Sequence, residues 1–115
     1  MWTSIAAGAL ALAVMIGAFG EHAMRDKLDA YSMGVYEKAV FYHFIHALGL
    51  LIVSLLKPPS MNWICALLLA GMVLFSGSLY ALATTGIRAL GAVTPLGGLC
   101  FIAAWLLLAY AASKS

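Results

Sequence analysis

The sequence predicts an all-α membrane protein: a bundle of four transmembrane helices in one domain, residues 1–115, with a short amphipathic interfacial segment between helices 1 and 2. Three observations predict it. Of the 115 residues, 65% are hydrophobic and 9% charged, where soluble domains are about half apolar and a quarter charged. A chain this short has too little interior to hide such a surface from water, whereas lipid accepts it on the outside of a bundle. The apolar residues also fall into four runs, at about 2–19, 39–56, 63–83 and 94–112. Each is close to the ~20 residues that a helix needs to cross hydrocarbon. Finally, the charged residues concentrate between Glu21 and Lys38 and leave the rest of the chain nearly uncharged.

The first run has no positively charged leader and is longer than the apolar core of a signal peptide, so it reads as a retained span. Along it Ala9, Ala13 and Gly17 form a ladder of small side chains four residues apart, a surface suited to close helix approach. Glu21 falls next on that face. The connection that follows is the long one. Met24, Leu28, Tyr31 and Val35 recur at helical spacing, while Arg25, Asp26, Lys27, Asp29 and Ser32 take the other faces. This pattern predicts an amphipathic helix in the membrane interface that feeds into the second span, with Gly34 interrupting it.

The second connection, Lys57-Pro58-Pro59-Ser60-Met61-Asn62, cannot continue a helix, so spans two and three form an antiparallel hairpin. The third span carries Ala66, Ala70, Gly77 and Ala81 on one face. Antiparallel pairing sets Gly77 and Ser78 level with Gly97 and Gly98, so the third and fourth spans are expected to pack through Gly77 and Gly98. Thr84-Thr85-Gly86 closes the third span with a glycine stop. Thr94-Pro95 starts the fourth as an N-cap followed by proline in the first turn. The same pairing puts Cys65 and Cys100 about ten residues out of level, roughly 15 Å at helical rise and too far for a disulfide.

The polar residues inside the apolar runs are the candidates for function. His43 and His46 are three apart and share a helix face with Ala47, Leu50 and Ser54, a stripe expected to look toward other helices. His46 is expected to bond within the bundle and His43 to be the more replaceable. With His22 near the same end, three imidazoles could gather around a copper, zinc or haem iron. Hydrogen bonding to a carbonyl, to Tyr42 or to headgroups explains the same histidines without a ligand, and no metal-binding motif supports the alternative. Glu21 pairs with His46 or Lys38, or moves protons, or sits partly hydrated at the interface near Arg25; the last is preferred. Arg88 lies near the start of the fourth span, where free amides attract anions, although a simple, kink-tolerant helix start is the preferred explanation of Pro95-Leu96-Gly97-Gly98.

Four ordered motifs carry a family resemblance. GAFGEHAM (17–24), YHFIHALGLL (42–51), FSGSLYALATTG (75–86) and LGAVTPLGGLCFIAAW (90–105) resemble the small bacterial membrane proteins of domain of unknown function 423, and the eukaryotic transmembrane protein 256 group looks related. The resemblance implies a short polytopic protein of the bacterial inner membrane and implies no activity. His22 and His46 match histidines of the family motifs. Glu21 stands where alanine is expected, and His43 where a glutamine-like residue is.

The functional expectation is correspondingly spare. The net charge of +2 is too small and dispersed for nucleic acid, and no nucleophile–base–acid constellation occurs. The leading reading is a non-enzymatic helix-packing protein without cofactor. Its partner is the bilayer together with a second copy or a larger membrane complex that it serves as accessory subunit. A small transporter or binding module for an ion, proton or small molecule, using Glu21, His22, His43 and His46, is the alternative; a metal- or haem-bearing redox protein comes third. Arg25, Lys27, Lys38 and Arg88 on one side, against Lys57 and Lys114 on the other, place both termini outside the cytoplasm.

Overall fold

The computed structural model describes residues 1–114. The chain forms helices α1 (Trp2–Phe19), α2 (Ala30–Leu56), α3 (Met61–Gly71), α4 (Gly77–Thr85) and α5 (Thr94–Lys114). Two wider π-helical turns, Gly20–Met24 and Met72–Ser76, extend α1 and join α3 to α4; a 3₁₀ turn, Arg88–Ala92, leads into α5. Four of the resulting rods, Trp2–Met24, Ala30–Leu56, Met61–Thr85 and Arg88–Lys114, are long and apolar enough to cross a membrane. The molecule measures 49 Å along its longest axis, enough for a bilayer with its headgroups, about 40–45 Å.

The amphipathic segment after α1 is helical but is not a separate element. The chain turns only at residues 25–29, and Asp29 then caps α2 by accepting from the Ser32 amide at 2.8 Å. From there α2 runs unbroken for 27 residues. Gly34 does not interrupt it, since both flanks hold helical geometry and its own position is open. At 1.5 Å per residue α2 is about 40 Å long, roughly 10 Å more than the hydrocarbon core. Its charged residues, Glu37 and Lys38, lie toward the amino-terminal end, so the first two turns are the part suited to the headgroup layer.

The hairpin after α2 forms as the prolines require, with Lys57 at φ 50° and Ser60 at φ 62° bracketing them. Trp2 Nε1 donates to Asn62 Oδ1 at 2.8 Å and pins the start of α1 to the start of α3. Gly86 ends α4 at φ 73°, its amide bonding to the Leu82 carbonyl. Thr94 opens α5, but its hydroxyl pairs with Ser78 Oγ at 2.6 Å, tying α5 to α4. Cys65 and Cys100 are free thiols.

The second and third spans occupy the middle: 44% of the residues in their most apolar stretches are buried, against 17% for the first and fourth. Leu50, Val53, Ile64, Cys65 and Leu68 fill the core at zero exposure. Ala13 of the small-residue ladder is fully buried, and a Cβ on Gly17 would touch Val40 Cγ1 of α2 at 3.4 Å. Ala9 is half-buried beside the same core.

The contact between the third and fourth spans requires a correction. Gly77 faces open space, and at Gly98 an added Cβ would come no nearer than 3.9 Å to the Phe75 ring. Ala66 and Ala70 point outward. The close approach lies on the other face, through Gly71 and Gly97. A Cβ on Gly97 would sit 2.8 Å from Phe75 Cα, and one on Gly71 would strike the Phe101 ring. The contact thus brings Gly71 within reach of the Gly97 carbonyl, at 3.2 Å from an added Cβ, and sets Gly97 against the Phe75 backbone and Gly71 against the Phe101 ring. Gly20 takes Tyr36 in the same way, and Gly49 takes Trp105.

Candidate functional site

The polar chemistry inside the bundle gathers around α2. His46 is 6% exposed, held in the core because it shares the inward stripe with Ala47, Leu50 and Val53. Its Nδ1–H donates to the Tyr42 carbonyl one turn earlier, at 2.9 Å. A carbonyl only accepts, so the proton is on Nδ1 and Nε2 is left with a lone pair. Trp105 of α5 uses that lone pair, donating its indole N–H at 3.2 Å. The ring also stacks on Phe101, with centroids 3.5 Å apart and planes 11° from parallel. Tyr42 and Phe75 complete the aromatic cluster, 4.4 Å apart. Both nitrogens of His46 and one of its faces are thus occupied by protein.

His43 is equally buried, which corrects the expectation that it is the replaceable member of the pair. Its Nδ1 shares a hydrogen with the Tyr80 hydroxyl at 2.8 Å, and the ring also faces the backbone of Ala9. One side chain of α2 thereby joins α4 and α1. Nearby, Tyr36 packs its ring edge-on against Tyr80 with centroids 5.7 Å apart, and its hydroxyl donates to the Ile16 carbonyl at 2.6 Å. That bond falls just before the π-helical turn at Gly20, where regular i→i−4 pairing gives way. At the other π-turn the Ser76 hydroxyl donates to the Ala39 carbonyl at 2.9 Å, fully buried. Among the described residues no buried side-chain nitrogen or oxygen lacks a partner.

The remaining candidates lie at the end of the bundle where α1 meets α2. Glu21 is exposed and pairs neither with His46 nor with Lys38; Arg25 bonds to its Oε2 through Nη2 at 2.6 Å and Nε at 3.0 Å. The same Nη2 reaches Glu37 Oε2 at 3.3 Å, which bridges the two helices. His22 is exposed on the π-turn. The three histidines therefore do not gather, and among the described residues no three histidine, cysteine or acidic side chains stand close enough to share a metal ion. Arg88 does not serve the start of α5. It lies 4.9 Å above the Tyr31 ring of α2 and acts on Asp29. The Asp29 carboxyl is held below its ordinary range, first by the Ser32 amide, then by the Ser32 hydroxyl and least by that guanidinium.

Trp105, Tyr80, Tyr36 and Phe101 complete the site and were absent from the sequence-based candidates. A positional signal marks one of them. Tryptophan and tyrosine usually collect at the membrane–water boundaries, whereas Trp105 lies midway along α5. A polar aromatic at such depth needs a partner for its N–H, and His46 of α2 supplies it.

Residues 16–98 match the family described as protein of unknown function DUF423. The chain belongs to this family. Among curated relatives, a UPF0382 membrane protein of Staphylococcus epidermidis is 48% identical over 106 residues, covering 90% of this chain and 87% of its own. The UPF0382 membrane protein YwdK of Bacillus subtilis is 45% identical over 108 residues, covering 90% and 88%. A UPF0382 membrane protein of Staphylococcus haemolyticus is 51% identical over 100 residues, covering 84% and 82%. No solved structure matches the chain. Family membership and the four apolar rods make this a membrane protein, and the DUF423 family carries no assigned activity.

Proposed function

We propose that the protein is a non-enzymatic helix-packing protein of the bacterial inner membrane that works by association, with a second copy or as an accessory subunit of a larger membrane complex. One division of chemistry supports this reading. The buried polar atoms are all used within the bundle, while the outward face of α1 presents Ser4, Ala7, Gly8 and Ala11, all exposed. Ser4 and Gly8 are four apart, as are Ala7 and Ala11, and a Cβ on Gly8 would meet nothing within 4 Å. Small side chains at that spacing let a second helix bring its backbone close. The transporter reading would need Glu21 and His22 to act with His43 and His46. The first two are exposed at one end and the last two are engaged inside, with no hydrogen bond between the pairs among the described residues.

A photo-reactive residue at Ala11, with a second at Ile102 on the exposed face of α5 as reference, tests the proposal in native membranes. Protein adducts from Ala11, to the same chain or to one consistent partner, are expected. Lipid-only adducts from both positions would overturn it. In the proposed orientation both termini lie outside the cytoplasm, since Arg25, Lys27, Lys38 and Arg88 cluster toward one end and Lys57 and Lys114 mark the other. A carboxy-terminal reporter active only in the cytoplasm would reverse that assignment.

A further inference from the structure

Beside the bundle core, the α1 and α2 surfaces around Gly17 and Tyr36 leave a groove of about 450 Å³, within the range of ligand-holding clefts. Its walls are apolar, from Val40, Phe41, Phe44 and Ile45 of α2, and they face the lipid side. Its mouth is not apolar. Glu21 and Glu37 both line it, and Arg25 spans them. Because the first two turns of α2 are the part suited to the headgroup layer, this trio lies where lipid headgroups lie.

The trio has capacity to spare. Arg25 engages Oε2 of each glutamate, and among the described residues the two Oε1 atoms and Arg25 Nη1 make no hydrogen bond. Two carboxylates against one guanidinium leave the mouth one charge negative. Of the charged groups at this end only Glu21 and Glu37 line the groove; Arg25 joins it through its pairs with them, and Asp26, Lys27, Asp29, Lys38 and Arg88 do not line it. A head that offers an ammonium to the free carboxylate oxygens and a phosphate oxygen to Nη1 complements this pattern. A purely anionic head meets net repulsion. We infer that the α1–α2 groove is a binding site for a phospholipid with an aminoalkyl-phosphate head, one acyl chain lying along Val40, Phe44 and Ile45 and the ammonium held between Glu21 and Glu37. The inference does not depend on the association proposed above, which uses the opposite end and outward face of α1.

Native mass spectrometry of the full-length protein in mild detergent tests it, with phosphatidylethanolamine and phosphatidylglycerol of identical acyl chains supplied in equal amounts. One phosphatidylethanolamine should be retained with a preference of about tenfold, which is what one charge-assisted hydrogen bond supplies. The E21Q/E37Q variant should bring the ratio near one, and E21D/E37D should restore most of it. Val40→Phe, which fills the groove, should lower retention of both lipids. Equal retention by the wild-type protein, a preference unchanged in E21Q/E37Q, or disulfide cross-linking of Phe41→Cys between two copies at high yield would each overturn the inference. The last would show that a second copy occupies the groove.

Discussion

Trp105 donates its indole N–H to Nε2 of His46, and this bond joins α5 to α2 beside the stacked rings of His46 and Phe101. His46→Leu removes the acceptor and leaves a tryptophan N–H in an apolar core. It should destabilise the bundle by about 0.5–2 kcal/mol, the scale of interhelical hydrogen bonds in membranes. Trp105→Phe should cost a similar amount, and the double variant less than the sum of the two. Unfolding in detergent–denaturant mixtures measures all three, and strict additivity would show that the pair is not coupled.

The His43–Tyr80 bond is the second such link. His43→Leu and Tyr80→Phe should each lower stability by about 0.6–1.7 kcal/mol, with the same sub-additive signature. His43→Gln should fall between wild type and His43→Leu, because an amide can still meet the tyrosine hydroxyl but lacks the ring that touches α1. A His43→Gln protein as stable as wild type would mean that the contact with Ala9 contributes nothing.

At the contact between the third and fourth spans, Gly97→Ala should cost about 1–3 kcal/mol, as overpacking does, because the new methyl group meets the Phe75 backbone. Gly77→Ala, in open space, should change stability by less than about 0.5 kcal/mol. Thermal unfolding in detergent separates the two. Equal effects would return the interface to Gly77.

Asp29 gives a pH signature outside the membrane. Its carboxyl is held below the ordinary range by the Ser32 amide, then by the Ser32 hydroxyl and least by Arg88. A group with a lowered folded pKa contributes stability above its unfolded value of about 3.9 and loses it as pH falls through the folded value. The Ser32 amide resonance should therefore hold its shift from pH 7 to about pH 4 and move only below that. Asp29→Ala should abolish the transition. A midpoint above pH 4 would contradict the cap.

Much of this was legible in the sequence, for a simple reason: in lipid every backbone group must be satisfied within its own helix, so the four apolar runs had one structural solution. The turn at Pro58-Pro59 and the stop at Gly86 followed from fixed backbone chemistry. Gly34 was misread because a single glycine weakens a helix by only about 1 kcal/mol, less than packing on both sides restores. The inter-span contacts were harder to read. Small residues license close approach but do not say what approaches, and Gly71 and Gly97 differ from Gly77 and Gly98 in level and in rotation about the helix axis. The π-helical turns supply part of that rotation, and no residue type announces them. His46 was read correctly as inward-facing from its stripe, but its partner on α5, fifty-nine residues away, was not.

The glycine–aromatic pairs carry a consequence for how such a chain can change over generations. Gly20 fits against the ring of Tyr36, Gly49 against that of Trp105 and Gly71 against that of Phe101. Each couples one span to another or, at Gly20, the end of α1 to α2. At Gly49 an added Cβ would lie 2.6 Å from the Trp105 ring, so position 49 can grow only after position 105 has shrunk. Shrinking position 105 first gives up the donor to His46. The order of substitutions is thereby constrained: a lineage leaving this arrangement passes through a loosened intermediate. Positions 49 and 105 should then change together across descendants, while Gly8, Gly34 and Gly77, which face open space, drift alone.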